Sequence, residues 1–113
     1  MRWFFCFYFV FLAGFSQAED VSTGFGKISR VHFWWGIDGP LVLHSQMGRN
    51  PGCGRADQYI LSANHPQYDE IYALILAASM ADKSVSLVLH NKECPGSYPS
   101  IKHVYVCPDG DAC

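Results

Sequence analysis

The chain has 113 residues, 8 Lys+Arg against 10 Asp+Glu, and a formal net charge of −2. This length holds one domain with a modest core, burying about 60–65% of its unfolded surface. It argues against two domains, a multi-span membrane protein or a large cofactor enzyme. Without a basic excess to neutralise phosphates, nucleic acid is a poor partner.

Met1-Arg2 gives a short positive start, Trp3 to Phe15 is an apolar run, and Ser16-Gln17-Ala18 supplies the small residues of a cleavage site. That is the anatomy of a secretory signal peptide, predicted over residues 1–18. The run is short for a membrane span, so an uncleaved anchor is the alternative reading. The mature domain is then residues 19–113, and the protein is secreted or periplasmic. Cys6 leaves with the leader, and Cys53, Cys94, Cys107 and Cys113 remain. An even number in an exported chain reads as disulfides, with three pairings open. Cys53–Cys94 and Cys107–Cys113 are preferred. The second closes a short loop through Pro108-Asp109-Gly110. The first ties two distant loops and removes roughly 3–4 kcal/mol of unfolded-state entropy. No C-x-x-C spacing supports a metal site.

In chain order, Glu19 to Gly24 reads as a loose polar arm. Lys27 to Trp35 reads as a strand. Val31, Phe33 and Trp35 share one face, Ile28 is out of phase, and one extra residue near Ser29-Arg30, a β-bulge, corrects this. After the turn Asp38-Gly39-Pro40, Leu41 to Met47 is a strand with Leu41 and Leu43 inward and Val42, His44 and Gln46 outward. Gly48 to Asp57 is a loop carrying Cys53, and Gln58 to Ser62 is a short strand. A helix runs from Pro66 to about Asp82. Ile71, Leu74, Ile75 and Ala78 form its apolar stripe, which Tyr72, Leu76 and Met80 widen to a second face needing cover. Ser84 to His90 alternates, with Val85, Leu87 and Leu89 inward and Ser84 and Ser86 outward. A loop with Cys94 precedes a last strand, Ser100 to Cys107. The order β-β-β-α-β-β predicts a mainly β fold with one helix: an OB-fold, the five-stranded Greek-key barrel. An open α+β sheet is the alternative.

No catalytic constellation stands out. G-x-S-x-G and H-E-x-x-H are missing from the sequence. Asp69 and Glu70 suit a helix start rather than acid–base work. The sequence therefore predicts no enzyme, no cofactor and no metal. His32, His44 and His90 read as solvent-facing strand residues. If Trp35 joins the core, Trp34 faces outward beside His32, as a platform for a sugar ring or a partner side chain. Arg49, Asn50 and Arg55 lie in the Gly-rich loop around Cys53, where polar groups suit a hydroxyl-rich ligand or simply hold the loop.

Several segments carry a resemblance. These are Gly26-Lys27-Ile28, Asn50-Pro51-x-Cys53, Tyr59-Ile60-Leu61, the run from Tyr68 to Ala78, Lys83-x-Val85, and Cys94 with Ile101 and Val104-Tyr105-Val106. Over about Gly24 to Cys107 the chain resembles small exported bacterial proteins akin to the receptor-binding B subunits of subtilase-cytotoxin and pertussis-like toxins. The resemblance implies an OB-fold, glycan binding, a homo-pentamer whose helices line its centre, and a catalytic toxin subunit as partner. It carries over no glycan pocket residue by residue, and the expected Cys107–Cys113 link departs from the family. The expected function is a non-catalytic exported module that binds an oligosaccharide or glycoprotein through His32, Trp34, Arg49, Asn50 and Arg55. The alternative is a periplasmic protein-interaction or enzyme-inhibitor protein. No membrane span is expected after cleavage.

Overall fold

The computed structural model describes residues 20–91 and 93–107. The expected leader and Cys113 lie outside them. The order is β1 (Val21–His32), β2 (Leu41–His44), β3 (Tyr59–Ile60), α1 (Tyr68–Met80), β4 (Ser84–Leu89), a single 3-10 turn (Pro95–Ser97) and β5 (Ile101–Val106). The five strands form one antiparallel sheet in the order β3-β2-β1-β4-β5. Its two ends meet. Ile60 forms a parallel bridge to Ser100, and its N–H donates to Pro99 O at 2.9 Å. The result is mainly β with one helix, consistent with a small barrel-like fold.

β1 starts earlier than its sequence suggests. Residues 21–24 belong to the strand rather than to a loose arm, because β4 supplies a pairing partner along Val21–Lys27. Asp20 ties this start down. It accepts from Asn91 N–H at 2.8 Å and pairs with Lys102 at 2.6 Å. The register shifts between Ser22 and Phe25, where Gly24 sits at φ +73°, a backbone that glycine adopts without steric cost. In this irregularity the Thr23 hydroxyl accepts from Leu87 N–H at 3.0 Å, so that buried backbone donor is satisfied by a side chain.

The second irregularity falls between Ile28 and Arg30, as the alternation predicts. It lets Ile28 and Val31 both pack against the main core. That core joins Val42 and Tyr59 to Ile71, Ile75 and Ala78 of α1 and to Val85, Leu87 and Leu89 of β4. The helical stripe is therefore buried except for Leu74, which is exposed. Tyr72 and Leu76 are half-buried and Met80 is exposed. α1 begins at Tyr68, after Pro66, because His65 organises its entry. His65 Nδ1 accepts from Gln67 N–H and His65 O accepts from Tyr68 N–H.

Three inward–outward assignments are corrected. In β2, Val42 and His44 face the main core, while Leu41 packs on the other side with Ile60 and Tyr98. The segment around Tyr98 covers that side, so both faces of β2 are apolar and alternation cannot pick the inner one. His44 is 2% exposed, not solvent-facing. Its Nε2 donates to Val85 O at 2.8 Å, and its Nδ1 accepts from Gln46 N–H at 3.0 Å. Gly26 makes room for the ring, which a Cβ at that position would overlap. In β4, Ser84 and Ser86 are buried, because β1 and β5 flank the strand and Ser86 Oγ lies 3.3 Å from Ser22 Oγ.

The third correction concerns Phe33 and Trp35. The strand stops at His32, and both rings, expected in the core, are exposed, as is Trp34. The chain turns there: Ile37 N–H donates to Trp34 O at 3.1 Å, with Gly36 at φ +79°. That angle suits the third position of a type II turn.

Cys53 and Cys94 are bonded, with Cα atoms 5.5 Å apart, as expected. Cys107 is also disulfide-bonded; its expected partner, Cys113, lies outside the described residues. No described helix is long and apolar enough to cross a membrane. The disulfide is consistent with an extracellular or periplasmic location.

Candidate functional site

Arg30 and His32 alternate at the end of β1 and so share a face, and Trp34, in the turn just beyond the strand, lines the same cavity. The register sets His32 opposite Leu41, and Leu41 opposite Ile60. This face is the outer wall of the sheet, away from the main core. There, Arg30, His32, Trp34, Leu41, Arg55, Gln58 and Tyr98 line a cavity of about 330 Å³. Its size lies at the lower end of small-molecule sites.

The loop chemistry explains how Arg55 and Tyr98 reach this wall. Asn50 Oδ1 accepts from Gly52 and Cys53 N–H, at 3.0 and 2.6 Å, and its Nδ2 donates to Cys53 O at 2.8 Å. This is an Asx-type turn, a local substitute for backbone bonding. It sets Cys53 for its bond to Cys94, and Arg55 N–H then donates to Ser97 O at 2.9 Å. The guanidinium of Arg55 stacks over the Tyr98 ring at 4.9 Å and pairs with Asp57 at 2.7 Å. The Asp57 hydrogen bond raises the pKa of Arg55 and lowers that of Asp57. Both remain charged across the working range of pH.

Two of the lining residues, His32 and Gln58, each carry a buried atom without a hydrogen-bond partner, His32 Nδ1 and Gln58 Oε1. The wall offers flat aromatic surface at Trp34 and Tyr98 and guanidinium donors at Arg30 and Arg55. No carboxylate lines it.

Of the five residues nominated from sequence, the structure brings His32, Trp34 and Arg55 into this cavity. Arg49 and Asn50 do not line it. Asn50 spends its side chain on the Cys53 turn. Arg49 is exposed and gives its backbone N–H to Tyr59 Oη at 3.2 Å. Arg30, Gln58, Leu41 and Tyr98 are further lining residues. Arg30 was within reach of sequence reasoning, because it shares the parity of His32 and Trp34. Tyr98 was not, since its loop is folded over β2 by contacts distant in sequence: the Cys53–Cys94 bond, Arg55 N–H to Ser97 O, and Ile60 N–H to Pro99 O.

Elsewhere, His65 and His90 have ring centroids 6.3 Å apart, and His90 Nε2 lies 3.6 Å from Glu93. Both nitrogens of His65 are already used, on Lys102 O and Gln67 N–H. Among the described residues no group of His, Cys, Asp and Glu has the arrangement of a metal site. A second cavity, of about 310 Å³, runs between α1 and β5 past Leu74, Val104 and Tyr105. Comparisons with protein-family models, curated proteins and solved structures found no match for this chain.

Proposed function

We propose that this protein is a non-catalytic exported binding module with an OB-type barrel, whose outer wall at Trp34 and Tyr98 recognises an oligosaccharide. The β3-β2-β1-β4-β5 order and the parallel Ile60–Ser100 bridge support the OB reading, because they bring the two edges of the sheet, β3 and the start of β5, together as in a small barrel. The observation that carries the binding reading is the cavity in which the rings of Trp34 and Tyr98 stand with the guanidiniums of Arg30 and Arg55. Sugar hydroxyls donate and accept at once, and the apolar face of a sugar ring stacks on aromatics. The two guanidiniums favour a sugar with an anionic substituent.

The test is calorimetric titration of the oxidised protein with neutral and acidic oligosaccharides. Saturable binding that falls about tenfold in Trp34→Ala, the loss of one well-placed aromatic contact, is the expected result. Binding untouched by both Trp34→Ala and Arg30→Ala, or no binding of any sugar, overturns it.

The ring assembly implied by the toxin resemblance is proposed alongside. The exposed Leu74 and Met80 on α1, and the Leu74–Tyr105 groove, are apolar surface a second copy would cover. Light scattering tests this: a pentamer supports it and a monomer overturns it.

A further inference from the structure

The tip of the β1–β2 hairpin is the most apolar projection among the described residues. Phe33, Trp34 and Trp35 are 57%, 64% and 97% exposed. No charged residue interrupts Phe33 to Ile37. Water is a poor solvent for three aromatic rings in a row, so their exposure needs a reason.

The tip is held rigidly. The Ile37 N–H to Trp34 O bond closes the turn, and Ile37 packs at its base against Leu41, Ile60 and Tyr98. Phe33 is fixed edge-on to Tyr72 of α1, with centroids 5.9 Å apart. The three rings diverge. Phe33 leans on the helix, Trp34 borders the outer-wall cavity, and Trp35, at a corner of the turn, meets almost nothing.

This shape decides between partner classes. A protein interface draws its energy from anchors seated in a complementary hollow. A convex cap with apolar rings splayed around its apex suits a partner without fixed shape. The boundary of a bilayer is such a partner, and Trp and Tyr gather there because one end of each ring is apolar and the other polar. Charge agrees. Arg30 lines the same cavity as Trp34 and forms no ion pair among the described residues, so its charge is open to a lipid phosphate, whereas Arg55 there is paired with Asp57.

We propose that the Phe33–Trp34–Trp35 turn is an interfacial anchor that seats this protein on a phospholipid bilayer, with Trp35 entering the headgroup boundary. The protein lies on the membrane and does not span it. The proposal does not depend on glycan recognition, because plain phospholipid is enough.

The experiment uses residues 19–113, which contain every strand and the helix described. In that segment Trp34 and Trp35 are the only tryptophans, so intrinsic emission reports on the tip alone. The protein is mixed with sugar-free phosphatidylcholine vesicles, with and without phosphatidylglycerol, and both emission and co-sedimentation are read. A blue shift with co-sedimentation is expected. Trp35→Ala should weaken partitioning about tenfold or more, by withdrawing one large ring from the apolar boundary. Trp35→Tyr, which keeps an amphipathic ring and controls for folding, should retain most of it. Three results overturn the proposal: no co-sedimentation with either vesicle, binding unchanged in Trp35→Ala, or a blue shift that follows protein concentration without vesicles. The last would assign the tip to contact between copies of the chain.

Discussion

The guanidinium of Arg55 stands 4.9 Å above the ring of Tyr98, and Asp57 holds it from the side at 2.7 and 3.2 Å. Two neighbours thus fix a flexible side chain against one wall of the cavity. The arrangement is exposed, so it adds little to stability. Its worth is preorganisation, since a ligand need not order the group again. Arg55→Ala should therefore leave the melting temperature nearly unchanged and weaken oligosaccharide binding about tenfold. Arg55→Lys should rescue little, because a lysine cannot match the planar fork. Calorimetry and a thermal melt on the same samples separate the two effects.

Cys53 and Cys94 are 41 residues apart in sequence. Closing a loop of that length removes about 4 kcal/mol of unfolded-state entropy. The double variant Cys53→Ser/Cys94→Ser should lose stability of that order in urea titration. It should also lose ligand binding in conditions where it is still folded, because the bond positions Arg55 and Tyr98 together. A folded double variant with full sugar binding would free the cavity from its dependence on the disulfide.

Tyr59 is fully buried, yet its hydroxyl is fully used. It donates to Gln46 O at 2.7 Å and accepts from Arg49 N–H at 3.2 Å. Burial raises the pKa of the phenol, so it stays neutral and able to donate. Tyr59→Phe keeps the ring and leaves two backbone groups without their partner. A loss of about 1–3 kcal/mol is expected in equilibrium unfolding. Hydrogen exchange at Arg49 should quicken at the same time.

What sequence could and could not foretell follows from the physics of each element. Val85, Leu87 and Leu89 were legible because they alternate in an unbroken strand and are all buried. The Ile28–Arg30 irregularity was legible because a single phase slip in an apolar pattern has one structural cause. That Cys53 and Cys94 are oxidised was legible from an even set of cysteines, but their pairing with each other was a preference among three that the structure bears out. The faces of β2 were not, since Leu41 is covered by Tyr98, some 57 residues later in the chain. The end of β1 was misplaced for a related reason. Phe33 and Trp35 have the composition of a strand, but periodicity does not report where a chain turns. At the site, Trp34 lines the cavity although the premise for its outward placing failed, since Trp35 is not in the core and the strand has ended before it. Asn50 looked like a binding group because the residues that bind ligands also build turns, and here its three bonds go to the turn.

His44 gives the fold a defined response to acid. Its Nδ1 accepts from Gln46 N–H, so Nε2 carries the proton donated to Val85 O, and the ring is neutral. Burial holds its pKa below 6.5, the ordinary value for histidine. The unfolded chain therefore binds a proton at a higher pH than the folded one. Stability is fully present above about pH 6.5 and falls as the pH drops through that value towards the lower folded pKa, by at most about 1.4 kcal/mol per pH unit for one group. His90 is shifted in the same direction, chiefly by burial, and adds to the slope. His44→Gln keeps a neutral polar side chain and removes the titration. It should be less stable than the parent at pH 7.5, because its amide cannot reproduce both bonds, and should lose less stability than the parent between about pH 6.5 and 5. Urea midpoints at a series of pH values measure both. A parent profile that is flat in this window, or one that His44→Gln leaves unchanged, would show that a charged imidazole fits beside Val85. The buried hydrogen bonds of β2 would then owe nothing to the neutral ring.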